Sequence, residues 1–207
     1  MIMSSEEDAK PCLISCGIFK EEILRLVEDG SLEVDLYFLD EGLHVDYDLL
    51  EKELKRILEE KVGNCPGGII VLYGDVCLGF NNEMKNLLGR YDVVKVDCLS
   101  CIDCLLGGKG KLLEIDPHHV YMFLNPAWIK FGKRFRTLSK EEAREQFSVL
   151  KGIILLDSLG NLDDYMEEIK EFSDYSGLPI LEIKNIGLEG LKERILEAVK
   201  KLKEKTA

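Results

Sequence analysis

Residues 69–77, IIVLYGDVC, are a short aliphatic run that ends on Gly, Asp and Cys. Such a run, bounded by turn formers, reads as a buried strand. Upstream, Leu49, Leu50, Leu54, Ile57, Leu58 and Val62 keep helical spacing across 47–62, and NCPGG at 64–68 then breaks the chain. Downstream, 82–88 returns to a helical pattern. Strands alternating with helices imply βαβ units and a parallel sheet. The same alternation runs outward. Further strands are predicted at 13–16, 32–39, 93–96, 120–124, 153–156 and 180–183. Helices are predicted at 18–28, 101–106, after Pro126, after the capping pair Ser139 and Glu142, at 162–173 and at 188–203. The expected fold is a Rossmann-like α/β fold: a doubly wound, mostly parallel sheet of about seven strands, helices on both faces and right-handed crossovers. It is read as a single α/β domain over 11–207, behind a flexible acidic N-terminus at 1–10, with a weak internal boundary near Ser139.

The chain has 207 residues, 46% hydrophobic and 32% charged, enough for a substantial core. No apolar run reaches the roughly 18 residues that span a bilayer. The N-terminus MIMSSEEDAK lacks the features of a signal peptide. These features predict a cytoplasmic chain with reduced thiols and no membrane partner. The net charge of -12 opposes nucleic-acid binding, which needs basic surface. One local exception is IKFGKRFR, with Lys130, Lys133, Arg134 and Arg136. It reads as a solvated helix end, the alternative being a docking spot for an anionic ligand or partner.

In parallel α/β proteins, ligands bind at the carboxyl ends of the strands. There this chain places Cys16-Gly17, Asp40-Glu41-Gly42, Gly74-Asp75, Asp97-Cys98, Asn125 and Asp157-Ser158. Asp, Asn and Gly also serve there as caps and turn formers, but cysteine has no capping preference. The seven cysteines divide accordingly. Cys12 lies inside a strand and reads as core. Cys65, in NCPGG, has no evident partner. Cys98, Cys101 and Cys104 form C-x2-C-x2-C, without the fourth cysteine and proline of a ferredoxin run. A helix beginning near Ile102 would put Cys101 at its N-terminus, where a thiolate is favoured, and turn Cys104 toward the core.

Other motifs are missing. GDVCLGF is not followed by Lys-Ser/Thr, so it is no P-loop, and no G-x-G-x-x-G, H-E-x-x-H or G-x-S-x-G occurs. His118 and His119 precede a strand and read as incidental. His44, just past the second strand end, is a candidate metal ligand or acid–base group. Asp75 and Asn125 are candidate cofactor contacts.

The ordered series CG at 16–17, LH at 43–44, YGDVC at 73–77, CIDCLLG at 101–107 and NPAW at 125–128 resembles an uncharacterised family carrying a "domain of unknown function" label. That family occurs in anaerobic bacteria and archaea, including methane producers. The resemblance spans about residues 11–160. It implies that Cys16, Cys77 and Cys101 take the family's recurring cysteine positions and His44 its histidine position. Here the cysteine of YGDVC falls one residue later than usual, and Cys98 and Cys104 are extra. The expected site is therefore a thiolate metal centre of Cys16, Cys77 and Cys101, with His44 and Cys98 nearby. Zinc is the first choice and an iron–sulfur cluster the second. The family's company points to methyl transfer in one-carbon, corrinoid-linked metabolism, with a small molecule or a corrinoid/methyltransferase partner. The alternatives are a non-catalytic metal- or corrinoid-binding accessory protein and a thiol-redox protein using Cys98 and Cys101.

Overall fold

The computed structural model describes residues 9–134 and 136–206, with the side chains of Arg134 and Thr206 left aside. Most of the acidic stretch expected at 1–10, up to residue 8, lies outside the described residues. The fold is mixed α/β, and every strand pairing is parallel. Among the described residues there are seven strands, but they form two hydrogen-bonded sheets where one was expected. The chain's contacts gather into two compact units, one of residues up to Lys109 with the C-terminal helix from Gly190, the other of Gly110–Glu189.

The first unit holds β1 (Cys12–Cys16), β2 (Asp35–Leu39), β3 (Ile69–Leu72) and β4 (Val94–Lys95), in the order β2-β1-β3-β4. The two central strands, CLISC and IIVL, are buried at every position. Continuous apolar runs are what a parallel strand covered on both faces requires. The helices are α1 (Lys20–Glu28), α2 (Tyr47–Lys61), α3 (Glu83–Leu88) and α4 (Cys101–Leu105). A one-turn 3-10 segment, Gly17–Phe19, precedes α1. In α2, Asp46 caps the start by accepting from the Leu49 amide at 3.0 Å. Leu50, Leu54, Ile57 and Leu58 form its buried face, while Leu49 and Val62 are exposed, so the apolar stripe is narrower than its sequence pattern.

One pairing overturns a reading of the cysteines. Cys12 and Cys65 form a disulfide, with Cα atoms 6.1 Å apart. Cys65 therefore has a partner, and not all thiols are reduced. The reason is geometric: the NCPGG turn leads into β3, which lies beside β1 with Cys12 opposite Ile69, so the two cysteines meet at the same strand end.

The second unit holds α5 (Lys111–Ile115), β5 (Tyr121–Leu124), α6 (Pro126–Arg134), α7 (Lys140–Phe147), β6 (Gly152–Asp157), α8 (Met166–Ser176) and β7 (Ile180–Asn185). α5 was not expected; it starts in what reads as the GGKGK loop. The order is β5-β6-β7, with β6 central and its GIILL run fully buried. Leu124, Ile129, Ile153, Leu155, Leu162, Ile169, Phe172 and Leu178 make one core cluster. At roughly 1.5–3 kcal/mol for each fully buried side chain, this cluster drives the folding of the unit. Ser139 and Glu142 close the expected capping box of α7. The last helix is α9 (Glu189–Thr206), which buries Leu191, Ile195, Ala198 and Leu202 along one face. Among the described residues no helix is long and apolar enough to cross a membrane.

Candidate functional site

The order β2-β1-β3-β4 contains a switch point. From β1 the chain moves to one side for β2 and to the other for β3, so the two following connections diverge. The crevice at the carboxyl ends of β1 and β3 is where open α/β sheets hold ligands. Cys16 is the last residue of β1, and Tyr73 directly follows β3.

Cys16 is 2% exposed. Its sulfur accepts from the Ile18 amide at 3.5 Å, capping the 3-10 turn, and lies 3.6 Å from Nδ1 of His44. His44 rides on a second 3-10 turn, Glu41–Val45, which Asp40 caps through the Gly42 amide at 2.7 Å. The His44 Nδ1 is also 3.2 Å from the Glu41 carbonyl oxygen. The two turns meet because Gly17 has no side chain: a Cβ there would stand 2.7 Å from Glu41 Oε2 and 3.0 Å from the Leu39 carbonyl oxygen. Burial lowers the His44 pKa against the opposing pull of the Glu41 carbonyl, which favours the neutral imidazole that a metal takes.

Cys77 is held in the loop after β3, where its amide donates to Gly74 at 3.2 Å. Cys101 opens α4 and is buried, with Ser100 capping the helix. The loop before α4 closes on the loop after β3. The Asp75 amide donates to Cys98 at 3.0 Å and the Val76 amide to Leu99 at 3.1 Å.

The thiols sense one another. Burial first, then the neighbouring Cys101 and Cys77 sulfurs, raise Cys16 well above the usual thiol range. Burial likewise pushes Cys77 up to about 12, with Cys101 the next contributor. Cys16, Cys77 and Cys101 thus share one neighbourhood. Cys98 is fully buried, with its sulfur 3.8 Å from the carbonyls of Tyr73 and Val96. Cys104 is held high first by a hydrogen bond with Cys98 and then by burial. Cys98 and Cys104 therefore pair with each other and with the backbone on the inner side. Nucleophilic cysteines need lowered pKa values, whereas burial and neighbouring sulfurs raise those of Cys16, Cys77 and Cys104. Among the described residues, no three His, Cys, Asp or Glu side chains already stand in metal-ligand geometry.

Two residues at the site were not singled out from the sequence. Tyr73 is 1% exposed. Its hydroxyl has no well-formed hydrogen bond among the described residues, and burial together with Cys16 and Cys77 raises its pKa. Lys95 was missed because a lysine in VVKVD reads as the solvent face of a strand. Its ammonium instead donates to the carbonyls of Tyr73, Val96 and Cys98 at 3.1, 2.7 and 3.2 Å, and pairs with Asp75 at 2.9 Å. Asp75 also pairs with Lys109 at 2.9 Å. Burial pushes the Asp75 carboxyl up, and the two lysines overcome it and hold it below the usual range. In the same unit a cavity of about 780 Å³ is lined by Asp75, Lys95, Leu99, Phe80 and Tyr91, among others. Asn125 belongs to the second unit, buried, capping α6 by accepting from the Trp128 amide at 3.0 Å.

Fold and site together define a parallel α/β protein with a partly buried thiol–imidazole pair and further cysteines at a strand switch point. Residues 38–195 match the family described as protein of unknown function DUF1638, and the chain belongs to that family. The match takes in His44, Cys77, Cys98 and Cys101 and begins after Cys16. No curated protein and no solved structure matches the chain.

Proposed function

We propose that this protein holds a metal ion at the β1/β3 crevice through Cys16, Cys77 and Cys101, with His44 beside them. The observation that carries this reading is the 3.6 Å separation of Cys16 Sγ and His44 Nδ1. Nδ1 faces the Glu41 carbonyl and keeps its proton there, so Nε2 is the lone-pair nitrogen that would meet a metal shared with the neighbouring Cys16. The donor set also fits: thiolates with an imidazole suit zinc first and an iron–sulfur cluster second. The Tyr73 hydroxyl, buried against Cys16 and Cys77 without a good partner, fits a site whose last partner is a ligand. Cys98 is the reserve ligand, being engaged with Cys104 and backbone carbonyls.

With three of these four side chains as its ligands, a zinc would keep one position open and would activate a thiol bound there, the chemistry of methyl transfer. The chain's own residues do the rest. Gly17 and Gly74 let three turns close on the crevice, Lys95 fixes the loops that carry Cys77 and Cys101, and the apolar shell excludes water. In this reading a small molecule enters by the Asp75 cavity, and a corrinoid-bearing protein is the partner. A non-catalytic metal carrier uses the same ligands.

The test is metal stoichiometry and an absorption spectrum on protein purified without oxygen. The expectation is stoichiometric metal, colourless if zinc and brown if a cluster. Cys16→Ala and Cys101→Ala should lose it with circular dichroism unchanged, whereas Cys104→Ala should keep it. Full metal in Cys101→Ala, or none in the unmodified protein, defeats the reading.

A further inference from the structure

The cavity of about 780 Å³ that Asp75 lines is of small-molecule size, and its wall selects by charge. Four lysines line it, Lys85, Lys95, Lys109 and Lys205, against two carboxylates, Asp75 and Asp97. Two positive charges are therefore in excess, and Asp92, which pairs with Lys205, offsets one of them. The chain as a whole carries -12, so the sign is reversed locally.

The Asp75 carboxylate is already satisfied, one oxygen by Lys95 and the other by Lys109, both at 2.9 Å. The lysines keep capacity. An ammonium has three protons, and the bond from Lys109 to Asp75 uses one. The side chains of Lys109 and Lys205 are 55% and 48% exposed, so both remain open to solvent. Lys85, on α3, is exposed and has no ion pair among the described residues.

Phe80 adds a ring. It lies on the cavity wall and is 80% exposed. A large ring left in water forgoes the contact from which it gains most. The turn that displays it is tied down. Gly79 at φ 125° and Asn82 at φ 65° bracket it, and the Asn81 amide donates to Glu83 Oε2 at 2.7 Å. Tyr91 gives a second aromatic wall, with its hydroxyl donating to Glu59 at 3.5 Å.

Lysines meet phosphate as point charges, whereas a carboxylate is best taken by an arginine fork, and no arginine is among the described residues that line this cavity. A phosphate monoester carries about two negative charges near pH 7, which suits the lysine excess better than one carboxylate does. Phosphate alone would leave the rings and most of the volume unused. We infer that the cavity binds a phosphate monoester bearing a flat ring, the chemistry of a nucleoside monophosphate, its phosphate on Lys85 and Lys109 and its ring over Phe80. The inference rests on the proposed entry of a small molecule by the Asp75 cavity, and not on the metal.

The experiment uses the full chain, with adenosine 5′-monophosphate, adenosine and inorganic phosphate as probes in calorimetry and amide hydrogen exchange. The monophosphate should bind at one site and slow exchange over residues 74–89. Adenosine and phosphate should each bind at least about 10-fold more weakly, since each loses one half of the contacts. Phe80→Ala should lose about 5- to 150-fold in monophosphate affinity, the range of one ring stack. Lys85→Gln combined with Lys109→Gln should lose about 10-fold and show a weaker dependence on salt. The exchange measurement on unmodified protein stands even if a variant fails to fold. Binding is followed before and after chelation, with metal content measured in parallel. Monophosphate binding by metal-free protein upholds the inference even where the metal reading falls, and full metal without monophosphate binding overturns the inference alone. Unchanged affinity in Phe80→Ala or in the double lysine variant, adenosine or phosphate binding as tightly as the monophosphate, or no exchange response at about 10 mM also overturns it.

Discussion

Replacing Lys95 with methionine should loosen the site locally. The ammonium of Lys95 serves four acceptors: the carbonyls of Tyr73, Val96 and Cys98, and the carboxylate of Asp75. An ammonium has three protons, so one is shared. Bonds to a charged donor contribute roughly 1.5–3 kcal/mol each when well shielded. The Lys95 side chain is 19% exposed, so water reaches part of the cage and the lower end of that range applies. Freeing the ordered lysine returns up to about 2 kcal/mol of rotamer entropy. Asp75 keeps Lys109 in either case. The balance is a loss of about 3 kcal/mol, or on the order of 150-fold in a local opening equilibrium. The amides of Asp75 and Val76 report it, because they donate to Cys98 and Leu99 across the same gap between loops. In native-state hydrogen exchange of Lys95→Met, both should exchange about 100-fold faster than in the unmodified protein. Rates within roughly 3-fold of wild type would show that water replaces the ammonium and that Lys95 does not hold these loops, since about 0.7 kcal/mol is the most such a change allows.

Two further outcomes follow from the same unit. The Cys12–Cys65 disulfide closes a loop of sequence separation 53, which in the chain-entropy account is worth about 4 kcal/mol. Reduction should lower the urea midpoint of unfolding, and an unchanged midpoint with thiol labelling complete would refute the estimate. At Gly74 a Cβ would stand 2.5 Å from the Leu99 carbonyl oxygen and 2.6 Å from Ser100 Cα, both backbone. Gly74→Ala should therefore cost roughly 1–3 kcal/mol by forcing the loops apart, and a stability within about 0.5 kcal/mol of wild type would show that they yield freely.

Much of the secondary structure can be read locally. Four consecutive aliphatics at 69–72, leucines at helical spacing in α2 and the Ser139–Glu142 box each act within a few residues. Strand ends could be located too, and with them Cys16, Cys77, Cys101 and the turn that carries His44. The contact between Cys16 and His44 bridges 28 positions, and their strands pair with Cys16 opposite Leu39. Strand-end reasoning reaches it because neighbouring parallel strands bring their ends to one edge. The remainder depends on which distant segments meet. A buried aliphatic run states that a strand is covered, but not which strand lies beside it, so the division into β2-β1-β3-β4 and β5-β6-β7 leaves no local mark. The Cys12–Cys65 pairing follows from β3 choosing β1 as neighbour. Tyr73 and Lys95 look in sequence like the end of a core strand and an outward lysine. They become site residues because the loops after β3 and β4 fold over one another and leave one hydroxyl without a well-formed hydrogen bond among the described residues and three carbonyls for one ammonium. Periodicity and capping act between neighbours in the chain. Strand order, disulfide pairing and polar cages are selected by packing and loop closure over the whole unit, where each group's partner is set by what else is buried beside it.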